Sequence, residues 1–237
     1  MKVSIILPTY NEAGNISQLI KTINCQKELK EYQLEFVVVD DNSPDHTAAI
    51  VKALTKKIPV KLFVRTKQKG LASAILYGIR KSRGQIIVLM DTDFNHQPKD
   101  IANLITPIID QQADLVIGSR YIKGGGMHLS EASRWQYWLS RWGNYFVNRW
   151  LLNLPVHESL SGFVAVRKKI LARLNLEKIF SGYGEYCIRL IYYCHRRGFK
   201  IKEIPVMYGF RQYGISKSSL KRMIYFYLKT ALQLRFS

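Results

Sequence analysis

Short apolar runs alternate with helical patterns through the first half of the chain, and this alternation restricts the fold more than any other feature. Val3–Leu7, Glu35–Val39, Val60–Val64, Gln85–Met90 and Asp114–Gly118 read as strands. Amphipathic patterns fall between them, from Asn15 to about Gln26, from near Asp45, over Leu71–Lys81, and from Pro98. A strand–helix–strand series needs crossover connections, which produce a mostly parallel sheet with helices on both faces. The runs are largely continuous in apolar residues, as strands covered on both sides must be. At 237 residues the chain can bury one large α/β core, and no repeat or low-complexity linker divides it.

In an open sheet of this kind ligands bind beyond the carboxyl ends of the strands. The residues that follow the strands are Pro8-Thr9-Tyr10-Asn11-Glu12, Asp40-Asp41-Asn42-Ser43, Arg65, Asp91-Thr92-Asp93 and Gly118-Ser119-Arg120. Asp91 and Asp93, one residue apart, point to the same side and can chelate a hard divalent cation, with Asn95 or His96 near enough to help. Asp40 and Asp41 can accept hydrogen bonds from a ribose or base. Both pairs can equally be loop and helix-capping aspartates, with Ser43 or Asp45 as rival caps, and local sequence leaves that choice open.

Thirty-six Lys and Arg stand against seventeen Asp and Glu, a formal charge of +19 that attracts anions. Nucleic acid, anionic lipid and phosphorylated small molecules all satisfy it. Arg65, Lys67, Lys69, Arg120, Arg134, Arg211 and Lys217 fall near expected loops, where phosphates can be gripped. All four tryptophans (Trp135, Trp138, Trp142, Trp150) lie between Arg134 and Leu154, and the first three share one helical face. Such a stripe suits a membrane interface or a protein core. Residues 218–237 repeat the amphipathic theme, and that helix can dock on the domain, on a membrane-anchoring partner protein, or on anionic lipid. Cys25, Cys187 and Cys194 lack metal-ligand spacing and read as reduced cytoplasmic thiols. The opening run is too short for a signal peptide, and no run approaches the ~18 apolar residues of a membrane helix. No Ser-His-Asp arrangement and no glycine-rich phosphate loop is present.

Taken in order, Pro8-Thr9-Tyr10-Asn11-Glu12, Val39-Asp40-Asp41-Asn42-Ser43-Pro44-Asp45, Lys69-Gly70-Leu71, Asp91-Thr92-Asp93 with His96, and Gly118-Ser119-Arg120-Tyr121 resemble the GT-A-fold family 2 glycosyltransferases. The dolichol-phosphate mannose synthase branch is the nearest. Ser161-Gly162-Phe163, Glu203-Ile204-Pro205-Val206 and the Arg211 to Lys217 segment extend the likeness to about residue 218.

The resemblance implies a GT-A catalytic domain over 1–217, with a nucleotide-binding half (1–120) and an acceptor half (121–217). It implies a nucleotide-diphospho-sugar donor held by Pro8, Tyr10, Glu12, Asp40, Asp41, Lys69, Asp91 and Asp93, and Mg²⁺ or Mn²⁺ on Asp91, Asp93 and Asn95. A polyprenyl phosphate acceptor would meet Arg120, Arg134, Arg211 and Lys217. Asp93, Arg120 and Arg211 would carry the chemistry, at the cytoplasmic face of a membrane. The family usually has Asp before its Ser-Gly-Phe motif, where this chain has Glu158. The rival within the family is a UDP-sugar enzyme with a non-lipid glycan acceptor. The rival outside it is a non-catalytic basic binder of nucleic acid or membrane, which gives no reason for carboxylates at two strand ends.

Overall fold

The computed structural model describes residues 1–127, 134–182, 184–209 and 220–236. Along them run β1 (Lys2–Thr9), α1 (Ile16–Asn24), β2 (Gln33–Asp40), α2 (Thr47–Leu54), β3 (Val60–Val64), α3 (Leu71–Lys81), β4 (Ile86–Leu89), α4 (Asp100–Ile109) and β5 (Leu115–Ser119). The second half continues with β6 (Gly126–Met127), α5 (Arg134–Phe146), β7 (Val164–Arg167), α6 (Lys168–Leu171), α7 (Leu176–Ile179), α8 (Tyr186–Arg196), β8 (Ile201–Pro205), β9 (Met207–Tyr208) and α9 (Leu220–Arg235).

Among the described residues the main sheet has seven strands in the order β3-β2-β1-β4-β7-β5-β8. Its pairs are parallel except at β7, which runs antiparallel between β4 and β5. The expected mostly parallel, doubly covered sheet is present. Ile6, Val37, Val39 and Leu89 pack with α3 on one face, while Ile5, Leu7, Val38 and Val88 pack with α1 and α4 on the other. Successive strand residues thus serve opposite layers, which is why the strands read as continuous apolar runs.

Two features of this topology create the site. Strand order reverses between β1 and β4, so the loops after them diverge and leave a crevice. The antiparallel β7 starts where β4 and β5 end, with Val164 in register with both Leu89 and Ile117. The Ser161-Gly162-Phe163 turn is thereby delivered to the same edge as Asp91 and Gly118.

The aromatic helix α5 is not a core helix. Trp135, Trp138, Leu139, Trp142, Tyr145 and Phe146 are all exposed, and Asn144 is its buried residue. In contrast α9 docks by Tyr227, Ala231 and Leu234 and exposes Ile224, Tyr225, Leu228 and Leu232. No helix among the described residues is long and apolar enough to cross a membrane.

Candidate active site

A cavity of about 570 Å³ opens at the reversal point. Pro8, Thr9, Tyr10 and Glu12 line it from the end of β1, Asp41 from β2, Lys69, Gly70, Leu71 and Ala74 from the start of α3, and Asp91, Thr92 and Asp93 from beyond β4. The second half of the chain closes it with Leu160, Gly162, Gly184, Tyr186, Cys187 and Met223. All the residues expected to hold the donor therefore meet around one space, except Asp40.

Asp40 is corrected by its surroundings. It is fully buried and accepts hydrogen bonds from Thr9 Oγ1 (3.1 Å), the Ser43 N–H (2.9 Å) and Ser43 Oγ (2.5 Å). Its loop braces the neighbouring one: Ser43 Oγ, Thr47 Oγ1 and Asp45 accept from the N–H groups of Asn11, Glu12 and Ala13. Asp45 also accepts from the Thr47 N–H and hydroxyl at the start of α2. Asp40 therefore holds its own loop together and Asp45 braces the first residue of α2, and neither lines the cavity. Asp41 does face the cavity, but its carboxylate is engaged by Arg65 Nε (2.7 Å) and the Gly70 N–H (2.7 Å). Arg65, a candidate phosphate ligand by sequence, instead ties Asp41 to the Gly70 carbonyl and Ser73.

Across the cavity, Asp93 is buried and Asp91 has a side chain 43% exposed. Asn95 donates to Asp93 through its backbone N–H (3.0 Å) and its side-chain amide (2.9 Å) and does not line the cavity. It braces Asp93 here, a correction to its expected role as a ligand. His96 is likewise no ligand, because its ring is buried and both nitrogens are engaged, with the Asp91 N–H and with Tyr208 Oη. Burial, only partly offset by Asp93, lowers its pKa to about 4, so the ring is neutral at physiological pH. Lys69 Nζ lies 5.5 Å from the centre of the Tyr10 ring at the mouth of the cavity.

Arg120 departs furthest from expectation. Its guanidinium grips the fully buried Glu158 through Nε (2.7 Å) and Nη2, and its backbone N–H donates to the same carboxylate (2.6 Å). Burial, the largest single influence, would lower its pKa, but the Glu158 charge and hydrogen bond together with Tyr208 and Tyr121 outweigh it and raise the pKa. The guanidinium also lies 4.5 Å from the Tyr208 ring centre and 5.1 Å from that of Tyr121. Arg120 does not line the cavity. Arg134 is exposed at the start of α5, also outside it. Arg211 and Lys217 lie outside the described residues.

Sequence reasoning missed much of the cavity wall contributed by the second half. Gly162 had a signal, its place in a motif, and its reason is spatial. A Cβ there would lie 3.2 Å from Tyr186 Oη, 3.5 Å from His96 Cε1 and 3.7 Å from Asp91 Oδ1. Tyr186, Cys187 and Met223 carried none. Burial pushes the Cys187 thiol up to about 12, so it serves as packing and not as a nucleophile.

An acidic pair beyond a central strand, facing a polar loop across a strand-order reversal, is a nucleotide-sugar geometry by its parts. The family model for "Glycosyl transferase family 2" matches residues 4–174. The chain belongs to that family. Among the relatives of this family 2 chain, a dolichol-phosphate mannosyltransferase of Pyrococcus furiosus is 38% identical over 224 residues, 92% of this chain and 59% of the relative. The chain thus spans under two thirds of that relative's length. A polyprenol monophosphomannose synthase of Mycolicibacterium smegmatis is 32% identical over 226 residues, 91% of this chain and 80% of the relative. Glucosyl-3-phosphoglycerate synthase of Mycobacterium tuberculosis, solved with Mn²⁺, UDP-glucose and phosphoglyceric acid, superposes with a TM-score of 0.71 at 21% identity. That match covers 99% of this family 2 chain and 80% of the solved one, and it establishes the shared GT-A fold.

Proposed function

We propose that this glycosyltransferase moves mannose from a nucleotide-diphospho-mannose to a polyprenyl phosphate, with inversion at the anomeric carbon. The carrying observation is the cavity that gathers Tyr10, Glu12, Asp41 and Lys69 opposite Asp91 and Asp93. The two mannosyltransferase relatives, matched over most of this chain, support the substrate class.

Asp91 and Asp93 fit Mg²⁺ or Mn²⁺. No third His, Cys, Asp or Glu joins them in a metal-sized cluster among the described residues. Two carboxylates completed by substrate phosphate oxygens and water are what Mg²⁺ commonly takes. Bound there, the cation would neutralise charge on the departing diphosphate. Asn95 orients Asp93, Tyr10 offers a ring face to the base, and Lys69 offers its ammonium to phosphate. An oxygen of the acceptor phosphate forms the new bond to the anomeric carbon as the bond from that carbon to the diphosphate oxygen breaks, releasing the nucleoside diphosphate. The attacking phosphate is already ionised, so no strong general base is required. This accounts for a cavity that no histidine lines among the described residues.

We read residues 1–217 as the catalytic domain and 218–237 as an amphipathic helix. The acceptor half is read as 121–217, with Arg211 and Lys217 its candidate phosphate ligands. The exposed tryptophans of α5 and the segment after it, Trp142 at 65% and Trp150 at 73%, support a peripheral seat on an anionic, cytoplasmic membrane face. No Asp or Glu occurs from 132 to 157 or from 204 to 237, so both amphipathic segments are purely cationic.

Purified protein with GDP-mannose, Mn²⁺ and a short polyprenyl phosphate should form mannosyl phosphopolyprenol. Asp93→Ala should lower that rate by about 10²-fold or more while the fold survives. Glucose transfer from UDP-glucose to a soluble acceptor, with indifference to polyprenyl phosphate, would overturn the assignment.

A further inference from the structure

Among the described residues His96 is the histidine close to the cavity, and its neutral ring takes no part in the group transfer described above. It sits in a chain of hydrogen bonds whose two ends fix every direction in it. At one end the Asp91 backbone N–H can only donate, and it points at His96 Nδ1 (2.9 Å). At the other end the Gly118 carbonyl can only accept, and it takes the Ser161 hydroxyl proton (2.6 Å). Between them Tyr208 Oη lies 3.0 Å from His96 Nε2 and 3.1 Å from Ser161 Oγ. Ser161 has spent its proton on Gly118, so Tyr208 must donate to Ser161 and accept from His96. Nδ1 therefore carries no proton and Nε2 carries one.

The chain joins four distant parts of the sequence: the loop after β4, β9, the turn before β7, and the end of β5. The ring it passes through is stacked on Phe163 at 4.9 Å and makes a T-shaped contact with Tyr208 at 5.0 Å. The loop it closes contains Phe94, a buried non-glycine residue at φ +66°. Such a conformation persists only where its surroundings over-determine it.

We propose that His96, as the Nε2–H tautomer, is a positioning residue that fixes Asp91 and Asp93 through the Asp91 backbone, and that Tyr208 and Ser161 transmit that constraint from the acceptor half. The proposal rests on the reading of Asp91 and Asp93 as the metal-holding pair.

Three variants test it. His96→Phe keeps the stacked ring and deletes both hydrogen bonds. His96→Asn keeps an acceptor near the Nδ1 position and loses the link to Tyr208. Tyr208→Phe removes a single oxygen. The first readout needs no acceptor and no turnover: the Mn²⁺ concentration that half-saturates GDP binding, by titration calorimetry. It should rise about 10- to 100-fold in His96→Phe, the usual cost of losing a group that orients a ligand, with an intermediate rise in Tyr208→Phe and partial rescue in His96→Asn. The second readout is ¹⁵N NMR of metal-free, histidine-labelled protein. The signals that vanish in His96→Asn should be those of an unprotonated Nδ1 and a protonated Nε2.

An unchanged Mn²⁺ requirement in folded His96→Phe, or a protonated Nδ1, would overturn the proposal. Should His96→Phe fail to fold, an unchanged Mn²⁺ requirement in Tyr208→Phe would overturn it equally. Failure of the unaltered protein to bind GDP with Mn²⁺ would instead defeat the metal-site reading, and the proposal with it.

Discussion

Arg120 invites the sharpest test, because family resemblance gives it to the acceptor phosphate and the structure gives it to Glu158. The two roles predict different losses. Glu158 is fully buried and accepts three hydrogen bonds from Arg120. Removing one partner of a buried pair strands the other charge, at a cost of about 3–5 kcal/mol. Arg120→Ala also removes the guanidinium from the faces of Tyr121 and Tyr208, adding about 0.5–1 kcal/mol each. Against this, the Glu158 carboxylate keeps its bond from the backbone N–H at 120, which favours the lower end. In equilibrium urea unfolding with a slope of about 3 kcal/mol/M, a loss of ~3–5 kcal/mol lowers the midpoint by about 1–1.7 M. Glu158→Ala should cost a similar amount, and the double variant much less than the sum, with a coupling of about 2 kcal/mol or more. If Arg120→Ala stays within ~0.5 kcal/mol of the unaltered protein and raises only the acceptor KM, the pair is incidental and Arg120 is a phosphate ligand.

Other consequences are quicker to check. Glu35, buried at the opposite end of the sheet, accepts from Ser4 Oγ, Lys61 Nζ (2.5 Å) and the Arg83 N–H (2.7 Å). Burial alone would raise its pKa, but these bonds lower it from 4.5 to about 2. A depressed carboxylate pKa stabilises the fold above pH ~4.5 and loses that contribution as pH falls toward ~2. Glu35→Gln should therefore cost about 2 kcal/mol at pH 7, with the gap closing in urea titrations across that acid range. Gly162→Ala, pressing on Tyr186 Oη and filling the space beside His96 and Asp91, should raise the donor KM about tenfold, ~1.4 kcal/mol, with little change in thermal stability. Replacing Trp138 and Trp142 together by Ala should weaken sedimentation with phosphatidylserine vesicles by tenfold or more while donor binding is unaltered; unchanged sedimentation would count against the membrane seat.

The sheet and the position of the site were legible because both rest on local signals. Strands buried on two faces must be continuously apolar, and a parallel sheet must present its ligands where those strands stop. Pro8, Tyr10, Glu12, Asp41, Asp91 and Asp93 could be picked out in this way, and Lys69 by its place in an expected loop and in a family motif. What was not legible depends on partners distant in sequence. Whether Asp40 meets a ribose or braces its own loop is decided by Thr9, 31 positions away, and whether Arg120 is available is decided by Glu158, 38 away. The strand β7 has only four residues and owes its direction to β4 and β5, so no periodicity announces it. The tryptophan stripe of α5 has the same helical spacing whether it faces a core or a membrane, and only the packed chain shows it exposed.

The cavity's own charge connects these results. In a chain of net charge +19, the described residues lining the donor cavity include Glu12, Asp41, Asp91 and Asp93, with Lys69 as the cation among them. Arg65 neutralises Asp41 from behind, and among the described lining residues Glu12, Asp91 and Asp93 are the other acids and Lys69 is the cation. A nucleoside diphosphate brought to that wall meets like charge, and the basic surface beyond it is weakened by salt over about 8–10 Å. The surface charge can therefore raise the local concentration of anionic substrates without making the cavity itself receptive to them. A divalent cation between the carboxylates and the diphosphate would reverse that balance. On this reasoning donor affinity should fall steeply when divalent cation is chelated but only modestly with added monovalent salt, whereas the reverse order would mean that the basic surface, and not the Asp91–Asp93 pair, holds the donor.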